Sequence, residues 1–294
     1  RTQDLSKEFQ EISNLTQKKK YREALALLDS MIARDSTCYY CYCERGMIYG
    51  DLEEMEKSFT DLDHAVRLQP DSFQAYHARA IQFLRITYSE NAILDNTKAL
   101  EKATNDSMRL ISFSNRGNAR QQMRDFQGAF EDYTRAWLLD TNNITTLNNM
   151  ATSMDELGRV DDAIVYLKKA ISIDPTFIGP YVNIGFQYTK MGRYKEALTY
   201  FDKAVAIDGD DPLALNNRGL AKYNLEDYDG ALKDINKSLT IYPGNSYAYK
   251  NRALVYLALK QKDKACADLA EAEQLQFTRM YGEEVNELRK QYCR

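Results

Sequence analysis

A small residue returns every 34 positions along this chain, and that period restricts the fold more than any other feature. The series runs Ala24, Ser58, Ala92, Ala129, Ala163, Ala197, Ala231 and Ala265, with a single step of 37 between Ala92 and Ala129. Seven positions after each comes Met31, Ala65, Ala99, Ala136, Ala170, Ala204, Ser238 or Ala272. Two small residues seven apart lie on one face of a helix and let a second helix come close. Gly46, Gly117, Gly185 and Gly219 share a phase in the preceding segment. Glycine inside a helix costs about 1 kcal/mol, so close packing is the expected reason for it. Pro70, Pro175 and Pro243 fall at one phase after the second segment, where proline stops a helix. The period therefore describes repeated helical hairpins, each burying its apolar face against its neighbours in an all-α array.

The pattern resembles the tetratricopeptide repeat (TPR) over nearly the whole chain, most clearly in "YVNIGFQYTKMGRYKEALTYFDKAVAID", residues 181–208. The resemblance implies a right-handed α-solenoid of helix-turn-helix hairpins. Eight units are expected, at 5–38, 39–72, 73–106, 110–143, 144–177, 178–211, 212–245 and 246–279. Unit one is degenerate, with Ile12 in the place of the glycine. The three extra residues near Ser107 to Arg109 are expected to lengthen one inter-repeat loop. After the last unit, residues 280–294 place Tyr281, Val285, Leu288 and Tyr292 on one helical face with charged residues elsewhere. That pattern predicts a C-terminal capping helix.

Position 7 of the units reads Glu11, Arg45, Arg79, Arg116, Met150, Ile184, Arg218, Arg252; position 23 reads Leu27, Asp61, Asp95, Asp132, Tyr166, Tyr200, Asp234, Asp268. The five units with arginine are the same five with aspartate. Pairing within a unit leaves no charge without a partner, so Arg218 is expected to meet Asp234 across its own hairpin. This is a scaffold feature and not a catalytic one.

In the family the first helices line a concave groove, and position 6 faces it. Here that position carries Asn115, Asn149, Asn183, Asn217 and Asn251 in five successive units. Each carboxamide offers a donor and an acceptor, so the row is expected to hold the backbone of an extended peptide whatever its sequence. Bonding between neighbouring turns is the structural alternative. Phe186, Tyr223, Tyr247 and Leu254 make the C-terminal end of the expected groove more apolar and are the candidate anchors. The lysine and asparagine pattern with which one subclass grips a C-terminal carboxylate is not met, since Lys250 and Asn118 stand four units apart.

Net charge is −4, with 39 basic against 43 acidic residues, which argues against a phosphate-tracking nucleic-acid binder. No apolar run is long enough to span a bilayer. The chain opens at Arg1 and not at methionine, which leaves room for a leader upstream. No nucleophile elbow, zinc-protease helix, phosphate loop or dinucleotide fingerprint is present, so no catalytic residue, metal or cofactor is expected. The stretch "CYYCYC" at 38–43 admits a redox or metal-responsive role for Cys38, Cys41 and Cys43, with His64 or His77 as further ligands; packing is the default reading. Cys266 and Cys293 would meet if the cap runs antiparallel to the last helix, and a disulfide there would favour an exported or periplasmic setting. The sequence thus describes a non-enzymatic protein-interaction scaffold that binds a protein or peptide segment. Self-assembly into homo-oligomers is an alternative.

Overall fold

The computed structural model describes residues 2–293, with side chains from Ser6 onward. Among them the only regular structure is helical. The chain divides into two compact units, one ending at Gly158 and one beginning at Arg159. The first unit holds α1 (Thr2–Gln17), α2 (Tyr21–Arg34), α3 (Tyr39–Asp51), α4 (Met55–Leu68), α5 (Phe73–Arg85), α6 (Ser89–Lys102), α7 (Asp106–Gln122), α8 (Phe126–Leu139) and α9 (Ile144–Glu156). The second holds α10 (Val160–Ile173), α11 (Ile178–Lys190), α12 (Tyr194–Ile207), α13 (Pro212–Asn224), α14 (Tyr228–Ile241), α15 (Ser246–Ala258), α16 (Lys262–Gln274), α17 (Phe277–Tyr281) and α18 (Glu284–Tyr292). The division falls between α9 and α10, inside the segment 144–177 that the period reads as one repeat.

Within each unit, helices pair as antiparallel hairpins, and the first helices of successive hairpins also touch: α3 with α5, α5 with α7, α11 with α13, α13 with α15. Capping side chains mark the start of seven helices. Ser72, Asn105, Asp125, Asn143, Asp211, Asp227 and Asn245 each accept a backbone N–H from the third residue beyond. Each hairpin then turns through one left-handed residue at the same phase. These are Lys19, Glu53, Thr87, Arg124, Gly158, Gly192, Glu226 and Lys260. Only two are glycine, although that conformation disfavours a side chain.

The small residues do what their period implies. Ala24, Ser58, Ala92, Ala129, Ala163, Ala197, Ala231 and Ala265 are all fully buried. A Cβ on Gly117 would lie 2.7 Å from the ring of Tyr133, and one on Gly185 would lie 2.6 Å from Phe201. Those contacts are too short for real atoms, so glycine is required for the partner ring to pack.

The five arginines meet their own unit's aspartates through two hydrogen bonds each. Arg218 donates from Nε to Asp234 Oδ2 and from Nη2 to Oδ1, both at 2.7 Å. Arg45–Asp61, Arg79–Asp95, Arg116–Asp132 and Arg252–Asp268 repeat the geometry at 2.7–2.8 Å. The remaining Nη1 reaches back to the preceding hairpin, to Asp29, Asp63, Thr97, Asp202 or Asn236. Each arginine therefore closes its own hairpin and ties it to the one before.

Two expectations about the elements need correction. The extra residues near Ser107 to Arg109 do not lengthen a loop; they extend α7 to 17 residues, where α5 and α9 have 13. Asn105 caps it, its Oδ1 accepting from Met108 N–H at 2.9 Å, so the added turn is helix from its first residue. The cap over 280–294 is not one helix. Gly282, at φ +104°, separates α17 from α18. Val285 is fully buried and Leu288 packs beside it against Ala265 and Leu269, while Tyr281 belongs to the preceding turn.

Candidate functional site

Position 6 of each first helix was expected to present a row of free amides. Asn115 on α7 and Asn149 on α9 stand in the first unit; Asn183, Asn217 and Asn251 stand on α11, α13 and α15 of the second. The first four are half-buried, but Asn251 is 1% exposed. Several of these amides bond sideways between first helices. Asn149 donates to Asn118 Oδ1 at 3.3 Å, and Tyr133 donates to the same oxygen at 2.7 Å. Asn251 donates to Asn216 Oδ1 at 3.0 Å, and Asn216 to Asn217 Oδ1 at 3.4 Å. Asn149 and Asn251 thus couple neighbouring repeats, whereas the Asn216–Asn217 bond lies within α13.

In the second unit Asn216, Asn217 and Asn251 help to line a pocket of about 340 Å³ among α11, α13, α15 and the segment that follows α16. Phe186, Asn217, Tyr247 and Asn251 line it together, as four of the nine predicted site residues. Asn115 and Asn149 lie in the other unit, and Asn183, Tyr223 and Leu254 do not line it. Tyr223 instead packs against Tyr228 with ring centres 6.1 Å apart. Leu213, Leu220, Tyr242, Met280 and Tyr281 join the lining without having been read as site residues. Met280 and Tyr281 come from the cap, because Gly282 ends α17 and leaves Tyr281 against Tyr247 at 4.5 Å. Phe277 sits beneath both rings, at 5.0 and 5.2 Å. The one available signal was Gly282 itself, which breaks the apolar stripe between Tyr281 and Val285.

The chemistry of the pocket is apolar side chains beside amides. Phe186 is 45% exposed, Leu213 54% and Met280 60%, high values for side chains of this kind. Two polar atoms in the lining residues are buried with no partner: Asn251 Oδ1, an acceptor, and Asn245 Nδ2, a donor. Both atoms are shielded from solvent by the surrounding side chains, so neither faces the open cavity. Burial raises the pKa of Tyr247, with Tyr281 and Glu284 adding to the effect, so its hydroxyl stays protonated at neutral pH. No Asp, Glu, His, Cys or Lys lines the pocket.

The cysteines are bonded in two pairs. Cys266 on α16 joins Cys293 after α18, with Cα atoms 5.6 Å apart, as the antiparallel cap implies. Cys38 joins Cys41 across the first turn of α3, Cα atoms 5.4 Å apart. Cys43 is a buried free thiol pushed up to about 12, first by desolvation and then by Glu44. His64 lies edge-on to Tyr42 at 4.5 Å and His77 stacks on Phe73 at 5.3 Å. Among the described residues, no three His, Cys, Asp or Glu side chains are gathered to hold a metal ion. The metal version of the cysteine reading is thereby corrected, because two of its thiols are bonded to each other. Among the described residues no helix is long and apolar enough to cross a membrane.

Family profiles described as TPR repeat and tetratricopeptide repeat match residues 39–72, 144–177, 185–226 and 212–245. The chain is built of tetratricopeptide repeats. Among curated proteins, this TPR chain is 25% identical over 157 residues to anaphase-promoting complex subunit 3 of Schizosaccharomyces pombe, covering 53% of this chain and 23% of that protein. It is 28% identical over 167 residues to DnaJ homolog subfamily C member 7 of Homo sapiens, covering 55% and 29%. It therefore spans under a third of the length of these relatives. Among solved structures, a tetratricopeptide repeat protein from Parabacteroides merdae superposes with TM-score 0.71 at 17% identity, covering 85% of this chain and 98% of that one. Cut9–Hcn1 of the APC/C gives 0.68 at 17% identity, covering 90% and 52%, and yeast Tom70 gives 0.67 at 16%, covering 94% and 59%. At those identities the likeness concerns the fold, a helical solenoid. TPR proteins serve as protein-interaction scaffolds.

Proposed function

We propose that this TPR chain is a non-enzymatic scaffold that binds an extended segment of a protein partner, with apolar side chains of the segment anchored in the C-terminal pocket. The observation that carries the reading is one cavity whose lining sets exposed Phe186, Leu213 and Met280 beside the half-buried amide of Asn217. Such a lining suits a peptide, which brings apolar side chains and amide donors and acceptors together. The uncharged lining offers no general acid, base or nucleophile other than hydroxyls, which favours binding over catalysis.

Magnitudes decide which contacts matter. A net hydrogen bond contributes about 0.5–1.5 kcal/mol, against an association cost of about 4–15 kcal/mol. Burying a Leu- or Phe-sized side chain contributes about 1.5–3 kcal/mol, so two or three anchors must supply most of the affinity. The half-buried amide of Asn217 then sets the register of the backbone. Asn183, also in the second unit, and Asn115 and Asn149 in the first, offer the same chemistry outside the pocket.

The test is selection of peptides from a displayed library against the intact chain, followed by titration of the selected peptides. Peptides with spaced apolar residues are expected, and Phe186→Ala with Leu213→Ala should weaken them about tenfold or more while the fold persists. Peptides whose affinity ignores both substitutions would contradict the reading. Light scattering during the titration separates peptide binding from self-association.

A further inference from the structure

We infer that Cys38 and Cys41 form a reversible thiol–disulfide couple whose outer sulfur, Cys38 Sγ, exchanges electrons with an external dithiol. The inference stands apart from the peptide pocket and shares no residue with it.

The two sulfurs are unequal. Cys41 is fully buried, in an apolar cluster with Ile12, Leu28 and Ile48, whereas Cys38 is partly exposed at the rim of that cluster. An incoming thiolate can therefore reach only Cys38. Cys38 is also the N-cap of α3, a helix of 13 residues, and its Sγ accepts the Cys41 N–H at 3.2 Å. The same donor and the helix N-terminus stabilise a thiolate on Cys38 once the bond is open. Cys41, when reduced, remains a small apolar group in a core that already encloses it. The bond joins residues three apart in one helical turn, so it constrains little of the unfolded chain. The third thiol nearby does not interfere, because Cys43 is buried and stays protonated.

The step balances as follows. One thiolate of the external dithiol attacks Cys38 Sγ, the Cys38–Cys41 bond breaks, and Cys41 leaves with the electron pair and takes up a proton. The second thiolate of the dithiol then attacks its own partner sulfur in the mixed disulfide, and Cys38 leaves as thiolate. The dithiol ends as a disulfide and the chain's pair gains two electrons. In reverse, the reduced pair donates them to an external disulfide.

Two variants and one titration test this. In Cys41→Ser the surviving Cys38 should form a mixed disulfide with an aromatic disulfide reagent at neutral pH about tenfold or more faster than Cys41 does in Cys38→Ser. In the wild-type chain, a graded series of reduced and oxidised dithiothreitol, read by alkylation and mass spectrometry, should open and reclose 38–41 with the helical circular dichroism unchanged. Equal reactivity of the two thiols would overturn the inference, and so would a 38–41 bond that opens only when the helices melt. The wild-type titration decides even if a variant does not fold.

Discussion

Asp234 carries more contacts than the pairing rule assigned to it. It accepts from Arg218 twice and from Lys222 at 2.8 Å, while Arg218 also reaches Asp202 at 3.1 Å. Burial alone would raise its pKa, but the hydrogen bonds from Arg218 and Lys222 outweigh that and hold it below the usual 3.8. A lowered carboxylate pKa contributes stability that is present above about 3.8 and lost as pH falls through the folded value, so acid unfolding should steepen below that point. Asp234→Ala should cost about 3–5 kcal/mol in a denaturant melt, because Lys222 loses its counter-charge and Arg218 keeps only the exposed Asp202. A loss near zero would put the pair in open solvent. The covariation of positions 7 and 23 made this pair legible. Position 25 of the preceding unit supplies the second partner, Asp29, Asp63, Thr97, Asp202 or Asn236, but this correlation is looser, because Thr134 stands there before Met150 and Lys168 before Ile184. That second correlation runs between units, where a comparison within units does not look. The amides were legible by phase but not by role. Asn251→Ala should lower stability by about 1–2 kcal/mol, since Asn216 loses its donor. Asn217→Ala should leave the melt nearly unchanged while weakening a bound peptide.

At the scale of elements, the helical hairpins were readable from the period. The left-handed turn inside each hairpin was not. Only Gly158 and Gly192 announce it, and the other six turns use residues that sequence reasoning assigns elsewhere. Thr87, at φ +60°, is the most strained of these because it is β-branched. Thr87→Gly should raise stability by about 1 kcal/mol, seen as a higher denaturant midpoint at unchanged slope. The cap was legible as an apolar stripe, and Gly282 was the only sign of its break, which delivers Met280 and Tyr281 to the pocket. The Cys266–Cys293 bond holds this arrangement to α16 and closes 26 intervening residues. Loop-closure entropy for such a span is about 3–4 kcal/mol. Cys293→Ser should therefore lower the melting temperature and weaken peptide binding together.

At the scale of the molecule, the period fixed the all-helical class and the repeat family before any coordinate, because 34 residues is the length of a helical hairpin that needs neighbours. The boundary at Gly158 was not visible, since the period runs through it without a change of phase. It divides the amide row, leaving the site with the fullest chemistry in the second unit. The central claim is that this pocket receives an extended peptide. Hydrogen–deuterium exchange of the intact chain, with and without a selected peptide, tests it most directly. Slowed exchange confined to α11 around Phe186 and to 212–224, 242–251 and 275–281 is the predicted result, those being the segments that line the cavity. Protection appearing instead on α12, α14 or α16, or no protection at saturating peptide, would contradict it.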